Sequence, residues 1–120
     1  MKKLITITGA AVLLVSLTGC AGSFDTFQKA YDTCSSPSGI TVSDGGKTIV
    51  IDGQNEYYIG ATIADTVCVL NAVELPSYII SNMETTNSLM GRQSDTFGDK
   101  IDVSWSYHPN NGLDIVIHKN

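Results

Sequence analysis

The chain is poor in the side chains that most often carry chemistry. It has two histidines, His108 and His118, one tryptophan and one arginine, Arg92. Neither a CxxC nor an HxxxH spacing occurs, so a structural metal site lacks ligands at short range. Asp44-Gly45-Gly46 and Asp95-Thr96-Phe97-Gly98-Asp99 do not follow the spacing of a calcium loop, and no lysine and serine follow Gly45-Gly46 as a phosphate loop requires. Asp99 and Asp102 lie at a loop–strand junction with no sign of the cleft that paired glycosidase carboxylates need. Basic residues are scarce, seven against twelve acidic ones. That balance repels nucleic acid, whose binding rests on lysine and arginine. No apolar run reaches the roughly 18 residues of a membrane span. No metal and no cofactor are expected.

What is present begins at the N-terminus. Lys2 and Lys3 precede Leu4–Leu17, a 14-residue run without charge. Thr18 and Gly19 then lead to Cys20. A short positive region, an apolar core and small residues before a cut are the layout of a secretory signal peptide, expected over residues 1–19.

Leu17-Thr18-Gly19-Cys20 resembles the lipobox of bacterial lipoprotein precursors: a leucine, a small or β-branched residue, a small residue, then cysteine. The resemblance implies a diacylglyceryl group on the Cys20 sulfur and cleavage just before it. Two acyl chains give a stable anchor where one gives only a reversible one. The expected address is the extracytoplasmic face of a cell membrane, with the membrane itself the first partner. Residues 20–23 form a short tether, and residues 24–120 a single globular domain. Loss of residues 1–19 leaves 101 residues with five basic and twelve acidic side chains, a formal charge of −7.

With Cys20 lipidated, Cys34 and Cys68 remain, an even pair in an exported domain, and a disulfide is the leading reading. Two buried thiols or a metal pair are the alternatives.

Ser23 is a candidate N-cap, and Phe24, Phe27, Tyr31 and Cys34 recur at helical spacing, which predicts a helix over 24–34. Ile40–Ser43 and Thr48–Asp52 read as a hairpin around Asp44–Lys47. Residues 62–72 mix helical spacing (Ile63, Val67, Leu70) with β-branched content. A helix is expected there with Cys68 on its buried side, and a second after Pro76 through Tyr78, Ile79, Ile80 and Met83. Residues 85–100 read as a surface loop with a short helical turn, with Leu89 and Met90 dipping into the core. The clearest hairpin is last: Ile101, Val103, Trp105 and Tyr107 alternate with polar residues, Pro109–Gly112 turns the chain, and Leu113, Ile115 and Ile117 alternate again. Trp105 shares the face of Ile101 and Val103, so it reads as core. The sum is an α+β domain: a four-stranded antiparallel sheet of two hairpins with helices packed on one face.

Thr48-Ile49-Val50-Ile51-Asp52-Gly53, the Cys68-Val69-Leu70 helix before Leu75-Pro76, Gly91-Arg92-Gln93, and Trp105-Ser106-Tyr107-His108-Pro109 through Gly112-Leu113-Asp114 resemble small lipoproteins of actinobacteria and their phages. The resemblance implies export and carries no activity with it.

Two classes of function follow. The first is a non-catalytic binding domain, with Arg92, Gln93 and Asp95 of the 85–100 loop, or Ser106 and His108 of the solvated sheet face, as recognition residues. Its partner would be a surface protein, a cell-wall component or a phage component, and a prophage-type superinfection-exclusion lipoprotein is one form. The rival is a small surface hydrolase built on Ser106, His108 and Asp114. Neighbours on an open sheet face lack an enclosed oxyanion site, so no enzyme is expected.

Overall fold

The computed structural model describes residues 26–120. The signal segment, Cys20, the tether and the Ser23 cap lie outside the described residues. Within them, α1 (Thr26–Thr33) is followed by β1 (Ile40–Ser43), a 3-10 turn (Asp44–Gly46) and β2 (Thr48–Ile51). Then come α2 (Ile63–Ala72), α3 (Ser77–Glu84), β3 (Gln93–Phe97), β4 (Ile101–His108) and β5 (Gly112–Lys119). The architecture is α+β with an antiparallel sheet. Among the described residues no helix is long and apolar enough to cross a membrane.

The sheet has five strands in the order β1-β2-β5-β4-β3, one more than the sequence patterning predicts. The extra strand, β3, lies inside the stretch expected to be a loop. It pairs Gln93 with Trp105, Asp95 with Val103 and Phe97 with Ile101. Its sequence, Gln-Ser-Asp-Thr-Phe, is too polar to announce a strand. An edge strand needs only one neighbour and tolerates polar side chains, and the backbone groups on its inner side pair with the free side of β4. Only Phe97 of the five is buried.

Alternation decides what faces inward. Ile49 and Ile51 of β2, Ile115 and Ile117 of β5, and Val103 and Trp105 of β4 are buried together with Phe27, Val69, Leu70, Ile79 and Met83 from the three helices. The β2–β5 register sets Ile49 opposite Ile117 and Ile51 opposite Ile115. This pairing joins the two hairpins into one sheet.

Two details of α2 differ from expectation. Its inward stripe is Val69 and Leu70, continued by Val73, while Ile63 and Val67 point to solvent. Cys68 is therefore on the exposed side. It faces α1, where it closes the disulfide with the buried Cys34. The helix starts on a cap: Asp65 N donates to Thr62 Oγ1 at 3.1 Å, and the Asp65 carboxylate complements the helix dipole.

Leu89 is 94% exposed and Met90 half-exposed, so neither reaches the core. The turn explains it. Asn87 Oδ1 accepts from Leu89 N at 3.0 Å, and Met90 N donates to Asn87 O at 3.2 Å. This tight turn leaves the Leu89 side chain in solvent.

Candidate functional site

Among the described residues the outer face of the sheet around β4 is exposed to half-buried. Ser94, Thr96, Asp102, Ser104 and Ser106 alternate outward there, opposite the buried Val103 and Trp105. Arg92, one residue before β3, lays its guanidinium over β4. Its Nε donates to Ser104 Oγ at 3.2 Å, Nη1 to Ser106 Oγ at 3.1 Å, and Nη2 to Ser104 Oγ at 3.1 Å. Two predicted recognition residues, Arg92 and Ser106, are thus brought into contact. The planar, permanently charged head is held in place by hydroxyls that cost it no charge.

The other candidates are placed apart. Gln93 turns back on its own loop, donating through Nε2 to Met90 O at 2.8 Å. Asp95 sits opposite Val103 on the inward-facing register, and its Oδ1 accepts from Thr96 N at 2.8 Å. His108 is exposed at the end of β4, where its Nδ1 accepts from Asn110 N at 3.2 Å. No hydrogen bond links Ser106 to His108 or His108 to Asp114 among the described residues, so the three do not form a relay.

Beside the Arg92 face lies a pair that the sequence reading missed. One step beyond Ile51–Ile115 the antiparallel register sets Asp52 opposite Asp114. Asp114 Oδ1 is shielded from solvent and finds no donor among the described residues. Burial pushes the Asp114 carboxyl above its usual range, and the hydrogen bond and negative charge of Asp52 push it further. The Gly53 amide and the Arg92 guanidinium act in the opposite direction without overcoming this. The Asp114 carboxyl therefore keeps its proton to a higher pH than a free carboxyl does. A cleft of about 370 Å³ opens here, lined in part by Asp52, Asn55, Ile59, Asn111 and Asp114. No sequence signal marks this pair, because only the long-range β2–β5 pairing brings its members together.

The chain that follows Asp52 is threaded closely over this end of the sheet. A Cβ on Gly53 would overlap the Leu113 backbone, and one on Gly60 the Gly53 carbonyl. Gly60 also has a φ of 122°, open to glycine alone. The close approach holds residues 53–61 against the start of β5.

At the far end, Thr48 Oγ1 donates to Asp44 Oδ2 at 2.7 Å. A hydroxyl has one proton, so the 2.8 Å contact between Thr48 Oγ1 and His118 Nδ1 is a donation from the ring. His118 is thereby engaged in holding the sheet end. A depression of about 340 Å³ beside it is lined in part by Ser94, Thr96, Ser104, Val116 and His118. No set of three or more His, Cys, Asp or Glu side chains among the described residues is placed to hold a metal ion.

Comparison of the chain with protein-family models, with curated proteins and with solved structures finds no match.

Proposed function

We propose that the chain is an exported lipoprotein, cut before Cys20 and held on the extracytoplasmic side of a membrane by a diacylglyceryl group on that residue, and that its α+β domain works there as a non-catalytic binding module. The address rests on the N-terminal layout: Lys2 and Lys3, the uncharged Leu4–Leu17 run and the Leu17-Thr18-Gly19-Cys20 motif. The pairing of Cys34 with Cys68 fits it, since disulfides persist in oxidising, extracytoplasmic compartments.

The observation that carries the binding role is the open sheet face with the Arg92 guanidinium fixed across Ser104 and Ser106. A rigid cation on a polar, uncovered sheet presents donors and a flat face to a partner without the entropy of ordering a long side chain. Surface proteins, cell-wall polymers and phage components carry acceptors that suit it.

The test is crosslinking of the anchored protein in the cells that produce it, with Arg92→Gln as comparator. Point substitution is required. Deleting residues 86–98 would remove β3 and the buried Thr86 along with the loop. A partner recovered with the intact protein and lost with Arg92→Gln supports the reading. Equal recovery removes the Arg92 face from it, and the absence of any partner contradicts the binding role.

A further inference from the structure

Half of the exposed large hydrophobic side chains of the described residues fall in one short stretch. Tyr57, Tyr58 and Ile59 are 74%, 82% and 69% exposed, Ile63 is 83% exposed, and Val67 is also open to solvent. Monomeric proteins rarely leave such a run uncovered without a use for it. The stretch is also firmly built. Asn55 Oδ1 accepts from Tyr57 N and from Ile59 N, both at 2.9 Å. Asn55 N donates to Ile59 O at 2.8 Å, and Glu56 N donates to Asn110 O at 3.0 Å in the turn before β5. Gln54 Nε2 donates to Tyr58 O at 3.1 Å. Two tyrosines and an isoleucine are therefore displayed on a fixed backbone, the arrangement in which aromatic anchors bind at low entropic cost.

Charge says what covers them. From Thr48 to Gly91 the sequence has five acidic side chains, Asp52, Glu56 and Asp65 among them, and no lysine or arginine. Three of the four lysines of the described residues gather at the opposite end of the sheet, the fourth, Lys29, being on α1: Lys119 N donates to Lys47 O at 2.8 Å, and Asn120 N donates to Lys100 O at 3.1 Å. There they are interspersed with Asp44, Asp99 and Asp102, whereas the stretch that carries Glu56 and Asp65 has no basic side chain of its own. An anionic lipid surface is repelled by those acids. A second copy meeting the tip symmetrically would set acid on acid.

We infer that Tyr57–Ile59 and the exposed face of α2 at Ile63 and Val67 form a docking tip for a different protein, one that offers an apolar socket rimmed by lysine or arginine. The inference rests on the binding-module reading but assigns it a surface separate from the Arg92 face. The tyrosines and Ile59 fill the socket, and Glu56 and Asp65 meet its rim and set the approach.

The experiment places a photoreactive phenylalanine analogue at Tyr58, at Ile63 and, as comparator, at outward-facing Val50, each in the full-length anchored protein in its own cells. Positions 58 and 63 are expected to give the same protein adduct, with the crosslinked partner peptide flanked by basic residues, and Val50 not to give it. Glu56→Lys with Asp65→Lys is expected to cut the adduct by about tenfold, with the Cys34–Cys68 bond intact as evidence of folding. A lipid adduct, a self-adduct, an adduct indifferent to the charge reversal, or no adduct at 58 and 63 overturns the inference. A protein adduct at Val50 with none at the tip overturns it while leaving the binding-module reading in place. Absence of protein adducts at all three positions overturns the inference and removes support for the module as well.

Discussion

The indole Nε1 of Trp105 donates to Thr86 Oγ1 at 2.8 Å inside the core. Thr86 Oγ1 in turn donates to Asn82 O at 2.7 Å, at the end of α3. Both side chains are buried. One hydroxyl thus ties β4 to the end of α3 and fixes the start of the segment that leads to Arg92.

Replacing Thr86 by valine keeps the volume and removes the acceptor. The buried indole N–H is then unsatisfied, at a cost of about 1–3 kcal/mol. Thr86→Val is expected to lower the unfolding free energy measured in urea by that amount, and Thr86→Ser to recover most of it. Equal loss in both variants would show that the methyl group, not the hydrogen bond, matters.

Asp114 gives a pH dependence with a definite sign. Its folded carboxyl holds a proton more tightly than the unfolded one, whose usual value is near 3.8. From there up to the raised folded value the folded state binds more protons, so this group's contribution to stability declines as pH rises through that window. Asp114→Asn removes the decline. The variant is expected to match the wild type below 3.8 and to exceed it at neutral pH, as read by denaturant midpoints. A variant less stable than wild type at neutral pH would show that the ionised carboxylate is needed there.

The disulfide joins α1 to α2 over a sequence separation of 34. Reduction, or Cys34→Ser with Cys68→Ser, is expected to cost roughly 3–4 kcal/mol. The two treatments should give the same thermal midpoint. A double variant as stable as the oxidised protein would contradict it.

Gly60→Ala tests the threading of residues 53–61. Its φ of 122° and the Gly53 carbonyl both oppose a side chain. Destabilisation above about 1 kcal/mol is expected, with exchange protection lost first at the Ala61 amide, which donates to Asp52 O at 2.7 Å. Uniform loss of protection across the sheet would place the effect elsewhere.

These predictions divide along what the sequence makes legible. The last hairpin could be read because Ile101 to Ile117 keep a period of two, and its register follows. The helix at 63–72 could be read despite its β-branched content, but not its rotation: Ile63 and Val67 obey helical spacing and still face solvent, because Val69, Leu70 and Val73 make the better stripe. β3 was hidden, since an edge strand needs no apolar alternation. Arg92 and Ser106 were named as separate candidates, and only the β3–β4 pairing shows that they touch. The Asp52–Asp114 pair depends on a pairing between distant strands and left no local mark. Tyr57-Tyr58-Ile59 was visible as letters, but nothing in the pattern told an exposed tip from a core segment.

Lipid anchoring at Cys20 is tested by the intact mass of the full-length product recovered from the membrane fraction of its own cells, after feeding with labelled palmitate. Expected is a chain beginning at Cys20, heavier by a diacylglyceryl group, labelled, and released unlabelled from the membrane in Cys20→Ser. A chain that keeps residues 1–19, or an unlabelled product cut at another position, would contradict it.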